Sequence, residues 1–310
     1  MKIHIQHRTT YLYSTPVTFG THQVMMRPRE SHALALESCS FQVSLPHEMR
    51  WIKDVQENNI CFVDIKVTSA KLVIEADFML HIQEDNPFHF TIAPEAADYP
   101  FSYDQDVMAQ LRPLNHNLYV RDVDAIRDWL HPLWHPGKRV GTLDLLQQIN
   151  SHIYGTLGYR RRLERGVQSP AETLEKKSGS CRDFATLFIE TCRFLGLGAR
   201  FVSGYMYSPD ITGRMSMHGW AETYLPGAGW IGFDPSWGIL ADLHYVAVAV
   251  SRNSEHVPPI SGTYTGPPRA FIRSDVDLYV TRLHDAGGMS DHDSSASQPQ
   301  ATQSQTLIAG

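Results

Sequence analysis

Cysteine is scarce in this chain: four in 310 residues, at positions 39, 61, 181 and 192. No two of them stand at the close spacing of a metal site. Nothing in the sequence supports a disulfide between Cys39 and Cys61, and so few thiols in a long chain suit a reducing compartment. Long apolar runs are also missing. The longest, about Tyr245 to Val250, falls far short of the roughly 20 residues that span a bilayer. No basic-then-apolar leader opens the chain, because Lys2-Ile3-His4-Ile5-Gln6-His7 already alternates as a strand. Basic residues are not in excess: 27 Lys and Arg against 33 Asp and Glu leave a net charge of −6, which gives no reason to expect nucleic acid as a partner. These absences lead to the expectation of a soluble, cytoplasmic protein with no membrane partner. The oligomeric state leaves no mark in the sequence.

What is present is ample apolar material, 42% of residues, in a chain long enough for two domains of ordinary size. Residues 1–105 read as a β-rich N-terminal domain, a sandwich or open barrel. Ile3-His4-Ile5, Thr9 to Tyr13, Ser38 to Leu45, Cys61 to Val67, Lys71 to Ala76 and Phe78 to Ile82 all carry strand patterns. Asn86 to about Asn117 holds four prolines and reads as a linker or cover segment. Residues 106–285 read as a mixed core, with helices at Val120–Leu130 and Thr142–Ile153. Ser169-Pro170-Ala171-Glu172 is a well-formed helix start. Arg269 to Leu283 reads as a strand that returns to a sheet. Residues 286–310, dominated by Ser, Gln, Asp and Gly, are expected to be disordered.

One stretch organises the core. In Ser178-Gly179-Ser180-Cys181 a small flexible turn ends at a cysteine, and that cysteine opens a helix running to Leu195. Phe184, Phe188, Cys192 and Leu195 form its apolar face, and Gly196 and Gly198 stop it. Amide groups at a helix N-terminus favour a thiolate, so Cys181 has a reason to be reactive. Cys192, mid-helix on the apolar face, reads as a structural thiol. Asp183 suits the first turn, where the helix dipole is positive. Two short strands follow, Met217–Tyr224 and Gly229–Gly238, joined by the turn Pro226-Gly227-Ala228-Gly229. An antiparallel pair puts His218, at the start of one, at the same end as Asp234, at the end of the other. A Cys, a His and an Asp, each at an element's end, make the arrangement for thiol catalysis.

These residues resemble the transglutaminase-like superfamily, a branch of the papain-like cysteine enzymes. The motifs are Cys181-Arg182-Asp183-Phe184-Ala185, His218-Gly219-Trp220-Ala221-Glu222 and Phe233-Asp234-Pro235, with Ser203-Gly204-Tyr205 on the strand before the histidine. His7 to Tyr13 and Arg27-Pro28-Arg29 resemble the β-rich region that precedes the catalytic core in bacterial members. Ser180 and Gly219 depart from the family pattern, which favours a larger apolar residue and Ala at those places. The resemblance implies an α+β fold with the catalytic helix packed on an antiparallel sheet. It also implies Cys181 as nucleophile, His218 as base and acid, and Asp234 as orienter, acting on a peptide or protein substrate with no cofactor and no metal. The Cys181 backbone N–H is a natural oxyanion donor. Tyr154, Tyr159 and Trp220 are candidates for a second donor, and Tyr159 and Trp220 are taken as substrate-binding residues. Trp220, Trp230 and Trp237 stand around the site, and core positions are the expectation for at least two of them. Hydrolysis, giving a protease or amidase, is the reading favoured for bacterial members. An amine acceptor would make the chain a protein-glutamine γ-glutamyltransferase, and a non-enzymatic peptide-binding scaffold is the third reading. Arg160, Arg161, Arg162 and Arg165 form either a solvated loop or a site for an acidic substrate group. His131 and His135 stand four apart, but Pro132 and Pro136 argue for loop histidines and not for ligands.

Overall fold

Strict alternation in the first strand, Lys2–Phe19, buries Ile3, Ile5, His7 and Thr9 and turns Gln6 and Arg8 outward. The computed structural model describes residues 1–83, 86, 88–162, 164–209 and 213–283; the tail at 286–310 lies outside them. Strand Lys2–Phe19 pairs antiparallel with Ser69–Ile82 on one side and with Phe271–Leu283 on the other, and Leu34–Val43 extends the sheet beyond Ser69–Ile82. A second antiparallel sheet runs in the order Ile260–Ser261, His22–Val24, Asn59–Ile65, His47–Lys53. The two sheets touch through Tyr11 against His22 and Phe41 against Trp51, and Ile5, Val24, Cys61, Val63 and Phe78 belong to one buried cluster. Cys39 and Cys61 are free thiols.

The C-terminal strands do not belong to the core to which the 106–285 boundary assigned them. Phe271–Leu283 pairs with the first strand from Lys2↔Leu283 to Leu12↔Arg273, and Ile260–Ser261 joins the second sheet. Alternating burial of Leu278 and Val280 identifies a strand in the sequence. It does not say which sheet edge receives it, because pairing is decided by distant partners.

The core is a five-stranded antiparallel sheet in the order Ile239–Leu240, Gly229–Asp234, His218–Leu225, Ala199–Met206, Tyr245–Ser251. Helix Cys181–Phe194 packs on it, and helices Val123–Leu130, Thr142–Thr156 and Pro170–Lys176 close over the helix from the other side. The central helix is therefore buried all round from Asp183 to Arg193, not only along the apolar face that its spacing suggests. Its charged residues are compensated. The Glu190 carboxylate accepts from the backbone N–H of Leu118 (2.8 Å) and from Arg193 Nη1 (2.6 Å). The Arg193 guanidinium also donates to the carbonyls of Leu114, Ala199 and Arg252. Buried charges persist only when bonded in this way.

The expected linker does act as a cover, but a structured one. It contains helix Gln105–Leu111, capped by Asp104. Tyr99 and Tyr103 pin it by donating from their hydroxyls to the carbonyls of Leu195 and Tyr224, both at 2.8 Å. Among the described residues, no helix is long and apolar enough to cross a membrane, and no group of three His, Cys, Asp or Glu could hold a metal ion.

Candidate active site

Cys181 is the first residue of the central helix, and Asp183 fixes where that helix begins. Its fully buried carboxylate accepts from the backbone N–H (2.7 Å) and hydroxyl (2.8 Å) of Ser180, from the backbone N–H of Gln168 (2.8 Å) and from Arg162 Nη1 (2.6 Å). Ser180 thus supplies two of the donors that hold Asp183, which a larger apolar residue could not. Gly179 is required as well: a Cβ there would lie 2.8 Å from Asp183 Cβ and 3.1 Å from the Phe184 ring. The arginine cluster divides. Arg162 is spent on Asp183, Arg160 pairs with Glu164 at 3.8 Å, and Arg161 stands exposed at the cleft.

His218 opens one strand and Asp234 closes the next, and the pairing of Ala221 with Phe233 brings their ends together. His218 Nε2 lies 2.5 Å from Asp234 Oδ2. The same carboxylate, wholly buried, accepts from the Tyr245 hydroxyl and from the Ser236 backbone N–H, each at 2.8 Å. With Nε2 committed to Asp234, the Nδ1 side of the ring is left for the Cys181 thiol. Burial alone would lower the His218 pKa, but hydrogen bonds to Asp234 and Cys181 and their charges raise it to about 10. Burial alone would raise the Cys181 pKa. The hydrogen bond and charge of His218, with the Gly219 backbone N–H, outweigh it and bring the thiol below its ordinary value. Both shifts favour a resting thiolate–imidazolium pair. Cys192 contrasts with Cys181, since burial pushes its thiol up to about 12.

Gly219 answers to the neighbouring strand. A Cβ there would lie 2.5 Å from Phe201 Cζ, so the aromatic ring excludes the Ala usual at this place.

The two residues expected to bind substrate fall on different sides of the histidine. Trp220 is 2% exposed, in a small cluster with Val202 and Val250. It stacks on His218 at 6.3 Å and meets Tyr245 edge-on at 5.2 Å, so it backs the imidazole from inside and offers no surface to a ligand. The glycine-lined sheet around it makes this placement fit: a Cβ at Gly204 would lie 2.5 Å from its ring. Tyr159 is exposed at the cleft, beside Cys181. Partial burial and the nearby Cys181 and Asp234 charges push its phenol up to about 12, so it stays a hydrogen-bond donor. Trp230 lies under the Arg200 guanidinium at 4.0 Å. Trp237 and Tyr154, both about half exposed, line the cleft.

That cleft encloses about 820 Å³. Tyr154, Tyr159, Arg161, His218, Ser236 and Trp237 form one side, with Met206, Arg214 and Met215 at its margin. Ser274, Asp275 and Val276 form part of the lining from the strand that completes the N-terminal sheet. Two parts of the site escaped sequence reasoning. Tyr245, third donor to Asp234, sits in a strand whose apolar alternation masks it. The Ser274–Val276 lining depends on a pairing with residues 9–11 that no local pattern reveals.

The comparisons agree with this architecture. The family model described as Transglutaminase-like superfamily matches residues 137–235, a span holding Cys181, His218 and Asp234. The model described as Bacterial transglutaminase-like N-terminal region matches residues 3–80. An uncharacterized protein of Mycobacterium tuberculosis strain H37Rv is 26% identical over 300 residues, covering 88% of this chain and 91% of that protein. One of Mycobacterium leprae is 22% identical over 291 residues, covering 91% of this chain and 99% of that protein. A crystal structure from Cytophaga hutchinsonii, described as "a Putative Cysteine Protease", shares the fold with a TM-score of 0.67 at 19% identity, over 94% of each chain.

Proposed function

We propose that this chain, which belongs to the transglutaminase-like superfamily, is a cysteine hydrolase that cleaves a peptide or carboxamide bond through an acyl-thioester on Cys181. One observation carries the reading: at a single helix start, a thiol held below its ordinary pKa meets an imidazole raised to about 10 and bonded to a buried carboxylate. Such a pair arrives at the reaction already ionised.

The Cys181 thiolate attacks the carbonyl carbon and a C–S bond forms. Negative charge moves to the carbonyl oxygen, which the Cys181 backbone N–H and the Tyr159 hydroxyl stabilise by donating to it. His218 passes its Nδ1 proton to the leaving nitrogen as the C–N bond breaks, which leaves a thioester and a neutral imidazole. Water then gives a proton to Nδ1 and attacks the thioester carbonyl. The C–S bond breaks, the acid product leaves, and thiolate and imidazolium are restored. Throughout, Asp234 keeps the ring in one orientation and stabilises its charged form.

The test is mass spectrometry of a glutamine-containing peptide mixture incubated with the protein, with and without a primary amine, beside Cys181→Ala. Shortened or deamidated peptides that need Cys181 and ignore the amine are the expected result. Amine adducts that vanish in the variant would make the enzyme a glutamyltransferase instead. An unchanged mixture, with no acyl group trapped on Cys181, would favour the scaffold reading.

A further inference from the structure

The Phe271–Leu283 strand is an edge strand. Its inner side is bonded to the first strand, and among the described residues its outer side has no strand beside it. Exposed edges of this length invite pairing and are normally blunted by charge, proline or a covering segment. The backbone of this edge faces a definite direction. Met1 and Ile82 exchange both backbone hydrogen bonds, at 2.7 and 2.8 Å. Odd residues of the first strand therefore point their amides at Ser69–Ile82, and even ones at Phe271–Leu283. Their partners there are odd residues: Tyr279, Asp277 and Asp275 oppose Gln6, Arg8 and Thr10. Even residues, Leu278, Val276 and Ser274, are left with N–H and C=O directed outward. Two contacts agree: the Leu278 carbonyl accepts from the Met215 backbone N–H at 2.8 Å, and the Val276 carbonyl accepts from Arg214 Nε at 2.5 Å.

So a ladder begins on this edge at Leu278, with Met215 as its rung, and continues with a side chain at Val276. Beyond that the cleft opens. Among the described residues, no group outside the first strand bonds the Val276 N–H or the N–H and C=O of Ser274. Ser274 and Val276 line the same cleft as His218, which places open backbone groups within reach of whatever occupies the catalytic centre. The side chains there are small, so the edge offers hydrogen bonds and little shape selection.

We infer that the outer edge at Ser274 and Val276 holds the substrate as an added β-strand, so that the enzyme's ligand is an extended peptide recognised through its backbone and delivered to Cys181. The inference rests on the proposed hydrolase reading. It gives the N-terminal sheet a direct part in substrate binding, and it predicts recognition tolerant of sequence, since strand addition draws on main-chain groups.

The experiment uses a tryptic digest of casein with the whole protein, and p-nitrophenyl acetate as a second acyl donor that needs no peptide groove. A peptide that is turned over is remade with single N-methyl groups at successive residues. Strand addition predicts losses of about tenfold or more at positions two apart on one side of the scissile bond, with small effects between them, because alternate amides face the edge. Val276→Pro removes one outward N–H while leaving the inner pairing intact, and is expected to raise KM tenfold or more with melting little changed. Losses with no period of two, or a KM within twofold in the proline variant, would overturn the inference and leave the hydrolase reading standing. Acylation of Cys181 by the ester without turnover of any peptide would likewise rule out the peptide. A dimer in sedimentation that Val276→Pro dissolves, with peptide turnover unchanged, would assign the edge to a second copy. No acylation by either donor would remove the hydrolase reading and the inference with it. If Val276→Pro fails to fold, the N-methyl series on the wild-type protein decides alone.

Discussion

Replacing Asp234 by Asn tests the electrostatic core of the site. The carboxylate is wholly buried and bonded to His218, Tyr245 and the Ser236 N–H. It heads the contacts that lift His218 from 6.5 to about 10. That rise corresponds to about 5 kcal/mol of net preference for the imidazolium, at 1.36 kcal/mol for each pH unit. With an uncharged amide in its place, burial dominates and the ring becomes neutral at and above about pH 6.5. The thiolate then loses its cationic partner, and its apparent pKa returns to about 8.5 or higher. At pH 6.5 a thiol of 8.5 is only about 1% ionised, so alkylation falls by up to about 100-fold relative to a fully ionised Cys181. Near pH 10 the thiol of the variant also ionises, and the two proteins converge. The assay is the rate of Cys181 labelling by iodoacetamide from pH 5 to 10, read by mass spectrometry, with Cys192 as the unreactive internal standard. Convergence at high pH separates loss of charge from collapse of the site. A variant whose midpoint stays within half a pH unit of the wild type would refute the reasoning, because Asp234 would then not be what holds the ionised pair.

Two other outcomes follow from the packing. Burial lowers His7, which faces Tyr205 across the two halves of the chain, to about 4. A base depressed on folding contributes stability that is present above pH 6.5 and lost as pH falls toward 4, here about 3 kcal/mol. Urea midpoints at pH 7 and pH 4.5 should therefore differ less in His7→Gln than in the wild type, and equal acid sensitivity would contradict this. Gly219→Ala sets a Cβ 2.5 Å from Phe201 Cζ, so melting should fall by the equivalent of about 1–3 kcal/mol, and Phe201→Leu should restore part of it. An unshifted melting curve for the single variant would show that the ring gives way freely.

Much of the candidate site was legible because its residues sit at element ends, where turn signals and periodicity are strongest. Cys181 follows a Ser-Gly-Ser turn, and His218 and Asp234 bracket a hairpin. What stayed hidden depends on tertiary pairing. The apolar spacing of residues 184–195 suggests a half-exposed helix, yet Glu190 and Arg193 are buried with it because each answers the other's charge. Arg162 looked like one member of a basic loop, and only the fold shows that its partner is Asp183, 21 residues on. Trp220 stands two residues after His218 on the same face of one strand, but Val202, Val250 and Tyr245 cover it, which no local pattern shows. The lining at Ser274–Val276 was invisible for the same reason that the domain boundary misplaced the C-terminal strands: nothing local records that residues 273–283 lie beside residues 2–12.

That last pairing has a consequence for how the chain is made. Synthesis proceeds from the N-terminus, so the first strand emerges early while its partner Phe271–Leu283 is still untranslated. Until that strand is made, one flank of Lys2–Leu12 is a bare ladder of amides and carbonyls, open to association with other nascent chains. The same late strand supplies part of the cleft lining beside Cys181. A ribosome-bound chain can hence carry its reactive cysteine for a time without the surface that would present a substrate to it. In this protein the closing of the N-terminal sheet and the completion of the cleft wall are one event.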